Sequence, residues 1–273
     1  VSPNNPVVLR HASGHASFVN RGAMELSNIT RTTPNPAGGE ILKDSSGNPT
    51  GLLRETASGL VREGAGEPVP TAEEAEARAR RVLELADQEV VSMGITSFQD
   101  AGSPFGVIDR MKRLIDEGAL QARLWVMVDA DDNATLGPGL DRARMVGHAD
   151  NRLTVRAIKT YIDGALGSRG AWLLEPYSDR PDSSGLGRSV DSIKETARLA
   201  IEHGYQLCVH AIGDRANREV LDIYEDTFKA AGVNGKDLRW RIEHAQHNSP
   251  ADVPRFGQLG FGRTGRTDGG DDF

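Results

Sequence analysis

The chain has 273 residues, 38% of them hydrophobic, with 31 glycines; this is an ordinary globular composition and enough chain for one large α/β domain or two small ones. Basic residues number 32 against 39 acidic ones, a net charge of −7, and no long basic stretch interrupts that balance, which disfavours a nucleic-acid groove or an anionic-membrane face. Apolar runs such as Leu124 to Val128 fall far short of the ~20 residues that span a bilayer, the polar start Val1-Ser2-Pro3 does not read as a signal peptide, and a single cysteine, Cys208, excludes an internal disulfide framework and makes the cytoplasm the expected compartment.

Residues 1–70 carry turn signals and short β-like runs with little helical periodicity. Gly39-Glu40-Ile41-Leu42 and Thr50-Gly51-Leu52-Leu53 flank Ser45-Ser46-Gly47-Asn48, which predicts a hairpin with a four- or five-residue loop inside a β-rich segment. At Thr71 the texture changes. Thr71 and Glu74 form a capping-box pair, and Ala75, Ala79, Val82, Leu83 and Ala86 recur at helical spacing until Gly94 ends the run. Apolar or β-branched runs then occur at 95–98, 124–128, 153–162, 206–210 and 240–244. They alternate with helical stretches near 104–117, 138–147, 191–203, 214–231 and 250–257. Five strands each followed by a helix predict an α/β fold of parallel strands with crossover helices, in an open doubly wound sheet or a (β/α) barrel. Residues 257–273, rich in Gly, Asp, Arg and Thr, offer too little apolar surface to offset ordering and predict a disordered tail. The expected division is therefore 1–70, 71–256 and 257–273.

In both parallel architectures ligands bind outside the carboxyl ends of the strands. That filter selects Asp100, Asp129, Lys159, Tyr161, Asp163, His210, Asp214 and His244. His210 and His244 end successive strands, so two imidazoles can share one rim as metal ligands, or each can simply be satisfied by neighbouring carbonyls. Lys159 lies in an otherwise apolar strand, where burial disfavours its ammonium. A neutral amine there could become a carbamate bridging two metals, form a Schiff base, or act as a general base; the structural alternative is an ion pair with Asp163. The loop from Asp163 to Gly170 offers glycines for close backbone approach and Arg169 for a carboxylate or polar group, but lacks the P-loop spacing. Asp214 is expected to cap the helix 214–231, with a contact to His210 as its other use. His203, before Gly204, reads as a structural residue at a helix end, and His11, His15, His148 and His247 carry little signal by themselves.

The stretches KTYIDGALGSRGAWLLEPYSD (159–179), HAIGDRAN (210–217) and RIEHAQ (241–246), with GHASFVNRGAMEL (14–26) and GGEILKDSSGNPTGLL (38–53), closely resemble the amidohydrolase superfamily, and within it the family-3 branch that includes N-substituted formamide deformylase. The resemblance runs from about residue 5 to residue 260. It implies a partial TIM-type (β/α) barrel of about five parallel strands with a β-rich N-terminal insertion. It also implies a divalent metal at the barrel mouth, most simply zinc as one or two ions. By resemblance Lys159 takes a position that is often carbamylated, His210 and His244 take ligand positions, His15 lies near the substrate, and Arg169 sits in the matching mobile loop. His15, Arg169 and Asp163 are accordingly expected to contact substrate.

What the resemblance implies for function is hydrolysis of a carbon–nitrogen bond other than a peptide bond, in a small amide-like molecule, by metal-activated water. Relatives also use a His-x-His pair at the end of the first strand and an aspartate at the end of the eighth; this sequence has no His-x-His, and its five strands match the second through sixth. The expectation is a truncated or split product with low activity alone. The alternatives are a non-catalytic remnant or subunit that binds a complementary chain or a second copy, and a barrel-type Schiff-base lyase using Lys159.

Overall fold

A computed structural model describes residues 2, 5–61, 70–130, 132–260 and 262–264. Its first part is a four-stranded antiparallel sheet. Strands β1 (Val8–Arg10) and β2 (Ala16–Val19) lead into helix α1 (Arg21–Leu26), followed by β3 (Gly39–Lys43) and β4 (Pro49–Glu55), in the order β1-β2-β4-β3. The expected hairpin joins β3 to β4: the Asp44 carboxylate accepts from the backbone N–H of Ser46 and Asn48 at 2.9 and 2.8 Å and folds the turn. Alternation along β4 buries Gly51, Leu53 and Glu55 on one face. Val19, Ala23, Ile29, Ile41 and Leu53 form the small core beneath. One turn of 3-10 helix, Thr56–Leu60, ends this part.

Helix α2 (Ala72–Ser92) starts at the capping box read from sequence, with Thr71 Oγ1 accepting from Glu74 N–H at 3.2 Å and the Glu74 carboxylate accepting from Thr71 N–H at 2.8 Å. Then come β5 (Ser97–Ser103), α3 (Phe105–Asp116), β6 (Arg123–Asp129), α4 (Asn133–Ala143), β7 (Met145–Gly147), the single turn α5 (His148–Asn151), β8 (Leu153–Tyr161), α6 (Val190–Glu202), β9 (Gln206–Ala211), α7 (Asp214–Ala231), α8 (Gly235–Leu238), β10 (Arg241–His244), α9 (Val253–Leu259) and β11 (Gly262–Thr264). Strands β5, β6, β8, β9 and β10 lie side by side in that order, all parallel, and β11 extends the β10 edge. The result is a half-barrel. Its outer core is Ile108, Leu114, Val126, Val128, Leu153, Ile158 and their neighbours, where apolar stripes of the crossover helices meet the sheet.

The inner face carries a small buried apolar cluster of Met127, Ala157 and Cys208 beside Lys159. Near the amino ends of the strands a concavity of about 650 Å³ is lined by Phe98, Arg123, Trp125, Arg156, Arg239 and Arg241. This is the end opposite the carboxyl ends of the strands, where barrels of this type bind ligands. No helix among the described residues is long and apolar enough to cross a membrane.

Three expectations are corrected. The helix placed at 138–147 begins earlier and stops at Ala143, and residues 145–147 instead form β7, antiparallel to β8. The strand at 95–98 begins at Ser97 and continues to Ser103 across an irregularity between Asp100 and Ser103, where Gly102 adopts φ +128; Asp100 is thus inside the strand, its carboxylate accepting from the Ser103 hydroxyl at 2.8 Å. The boundary at 257 also moves, because α9 runs to Leu259 and β11 follows; the rest of the expected tail, from 265 on, lies outside the described residues.

Candidate metal centre

Four strand ends bring the site together. The parallel register aligns Asp129 with Lys159 and Lys159 with Cys208, and aligns Tyr161 with His210 and His210 with Glu243. Lys159, Tyr161 and His210 therefore share the inner face. His210 is 1% exposed, and its Nε2 faces the Gly164 carbonyl at 3.4 Å and the Asp163 carboxylate at 3.5 Å. Two acceptors on Nε2 favour the proton there and leave Nδ1 with its lone pair. Burial first, then the neighbouring His244 and Lys159, hold His210 well below its ordinary pKa, so the ring is neutral, the form a metal takes.

Simple alternation would turn His244 away from His210, since it is Glu243 that pairs with His210. Left-handed backbone at His244 (φ 71) and Ala245 (φ 43) breaks the alternation. The two imidazoles meet edge to face, with centroids 4.5 Å apart. His15, just before β2, adds a third ring 5.6 Å from His210, and the Tyr161 ring lies 5.2 Å from the His210 ring.

Lys159 is 3% exposed. Its Nζ sits 3.3 Å from the centroid of the Tyr161 ring, and burial pushes its pKa down to about 8 against the pull of Glu243. The alternative of an ion pair with Asp163 is not seen among the described residues. Asp163, fully buried, points its carboxylate at three backbone N–H groups, of Gly213 (2.8 Å), Trp172 (2.9 Å) and Ile212 (3.0 Å). Burial pushes its pKa up to about 7 while those donors pull it down. Asp163 thus shapes the rim by pinning the loop after β8 to the loop after β9.

A scan against family models matches residues 1–262 to the amidohydrolase family. The chain belongs to that family. It is 33% identical over 95% of its length to the protein LONG AFTER FAR-RED 3 of Arabidopsis thaliana, covering 45% of that protein. To the N-substituted formamide deformylase of Arthrobacter pascens it is 29% identical over 96% of its length, covering 48% of that protein. Among solved structures, an uncharacterised metal-dependent hydrolase from Pyrococcus furiosus superposes with a TM-score of 0.62 at 26% identity, with 95% of this chain matched to 50% of that one. The chain spans about half the length of the curated relatives it matches. At the family level the chemistry of an amidohydrolase is hydrolytic and depends on a divalent metal.

The donors of this amidohydrolase chain fit such an ion in part. Two imidazoles converge, yet among the described residues no group of three His, Cys, Asp or Glu side chains is arranged to hold a metal. Lys159 lies on the same face of the sheet as His210. The amine alone is a poor ligand, whereas its carbamate carries two oxygens.

The other residues singled out from sequence make the following contacts. Arg169 bonds the Asp179 carboxylate through Nε at 3.0 Å and the carbonyls of Leu166 and Gly167 through Nη1, so it staples its own loop. Asp214 does not cap α7: Gly213 holds the cap position and the Asp214 carboxylate accepts from Leu174 N–H at 2.8 Å. His203 does sit at the end of α6, bonded to Asp141 at 2.7 Å.

Two residues escaped the sequence reading. Glu55, 6% exposed at the end of β4, bonds His15 Nδ1 through Oε2 at 2.7 Å and accepts from Ala165 N–H at 3.2 Å and from the Ser168 hydroxyl through Oε1. Its signal was phase, a carboxylate in the inward register of Gly51 and Leu53. Asn217, fully buried in α7, directs Nδ2 at the carbonyls of Gly213 (2.8 Å) and His247 (3.2 Å), tying the loops that follow β9 and β10.

Proposed function

We propose that this chain carries half of the active site of a metal-dependent hydrolase of non-peptide carbon–nitrogen bonds, acting on a small amide such as an N-acyl or N-formyl amine. The observation that supports it best is the convergence of His210, His244 and Lys159 on one rim of the half-barrel. His210 through Nδ1, His244 and the carbamate of Lys159 would hold the ion, with zinc the first to test. A divalent cation bound there polarises the scissile carbonyl and acidifies water.

The chain's own groups supply the rest. A lysine whose burial lowers its pKa to about 8 keeps a share of free amine near neutrality, the form that captures carbon dioxide. Asp163 holds the rim loops in place, and His15 stands beside His210 as a group for the substrate's polar atoms. Two imidazoles and one lysine make an open ligand shell, so the isolated chain should turn over slowly. A protein of this composition, with its single cysteine buried, suits the cytoplasm.

Metal content and turnover of N-formyl and N-acyl amines test the proposal, measured on the purified chain after loading with zinc in bicarbonate buffer. Binding of about one ion or more per chain, lost in H210N, supports it; no binding at any ion tested removes it.

A further inference from the structure

Glu55 is held in a conformation that a non-glycine residue rarely adopts, φ 51 and ψ −129. Such backbone is unfavourable and persists only where surrounding contacts demand it. Here the contacts are two-sided. One carboxylate oxygen bonds His15 Nδ1; the other accepts from Ala165 N–H and the Ser168 hydroxyl in the loop after β8. A Cβ at Gly164 or at Gly170 would overlap this carboxylate, so both loop glycines make room for it. The Gly164 carbonyl in turn faces His210 Nε2.

A carboxylate only accepts hydrogen bonds. Its partner nitrogen must therefore carry the proton, which leaves Nε2 of a neutral His15 bare; among the described residues Nε2 has no hydrogen-bond partner. We propose that Glu55 is the positioning residue of this site, fixing His15 as the Nδ1–H tautomer so that Nε2 accepts from an N–H or hydroxyl of the amide substrate, while its other oxygen holds the Gly164–Gly170 loop closed. The word substrate rests on the hydrolase reading; the tautomer and the loop latch do not.

The test needs neither metal nor turnover, so its failure is separable from failure of that reading. Long-range proton–nitrogen correlation spectra of the histidine-labelled chain at pH 8, with the H15N variant for assignment, report the His15 tautomer. Trypsin cleavage after Arg169, followed by mass spectrometry, reports the loop. In the wild-type chain His15 should be protonated on Nδ1 alone. In E55Q the loop N–H of Ala165 still demands an acceptor, so the amide NH2 must face His15 and drive it to the Nε2–H tautomer, with cleavage within twofold of wild type. E55A should lose the Nδ1–H tautomer and be cut at least tenfold faster. An Nε2–H tautomer in the wild-type chain, one tautomer unchanged across wild type and E55Q, or cleavage of a folded E55A no faster than wild type would each overturn the proposal.

Discussion

The His210 and His244 rings lie edge to face, centroids 4.5 Å apart, although the strand register pairs His210 with Glu243. The left-handed turn at His244 and Ala245 is what delivers the second imidazole. If the pair is a ligand pair, replacing His210 by Asn should weaken zinc binding by at least ~10-fold, since even indirect partners of ligands commonly contribute that much. Calorimetric titration reads this directly, and an unchanged affinity in H210N would count against both rings.

Lys159 is unfavourable to the fold as long as it is unmodified. Its Nζ is buried over the Tyr161 ring, with the Thr160 carbonyl at 3.5 Å as its hydrogen-bond acceptor among the described residues. Methionine fills a similar volume without a charge, so K159M should raise the stability of the metal-free chain at neutral pH by ~1–3 kcal/mol. Binding of metal should disappear in the same variant. Urea denaturation paired with the zinc titration would check the trade, and a destabilised K159M would show that the amine contributes favourable contacts instead.

Glu40 joins the antiparallel sheet to the half-barrel. Its carboxylate receives Arg180 Nη2 at 2.6 Å and Nη1 at 2.9 Å, and Arg54 Nη1 at 3.0 Å. The Arg180 hydrogen bonds hold the Glu40 carboxyl below its ordinary pKa. The unfolded chain therefore binds the proton more readily, and the stabilisation is full above the ordinary carboxylate value of about 4.5 and fades as pH falls through the folded value. E40Q should lower stability by about 1–2 kcal/mol at pH 7 and by progressively less below pH 4.5. Melting curves across that range test the sign; a deficit that grows on acidification would contradict it.

Asn217 is the fastener beneath the rim. Removing its amide in N217A takes the side-chain donor from the His247 carbonyl and leaves Gly213 only the Asn217 backbone N–H, and should reduce stability by about 1–2 kcal/mol. N217D should be worse, because a carboxylate would face the same oxygens. Chemical denaturation ranks the three chains, and N217D at wild-type stability would refute the role.

Most of the barrel was legible because its signals are local. The capping box at Thr71 and Glu74, the hairpin around Asp44 to Asn48, and the strand-then-helix alternation from β6 to α7 depend on spacing within one element. The errors fall where another element decides. β7 exists because residue 145 pairs with Val155, a partner no helical periodicity could reveal. Asp214 turned from a cap into a tether because Leu174 arrives beside it. Asp163 likewise left Lys159 for three amide donors of distant loops.

The sequence by itself determined that this is an amidohydrolase-like α/β chain with a lysine and two histidines at the ends of parallel strands, since residue type and period are properties of the chain read in order. Only the tertiary structure decided that those three groups converge, that His244 reaches the site by a left-handed turn, and that Glu55, 110 residues before its loop partner Ala165, braces the arrangement. The reason is that a hydrogen bond between distant segments is selected by packing and by the need to satisfy buried polar groups, and neither leaves a periodic trace in the string of residues.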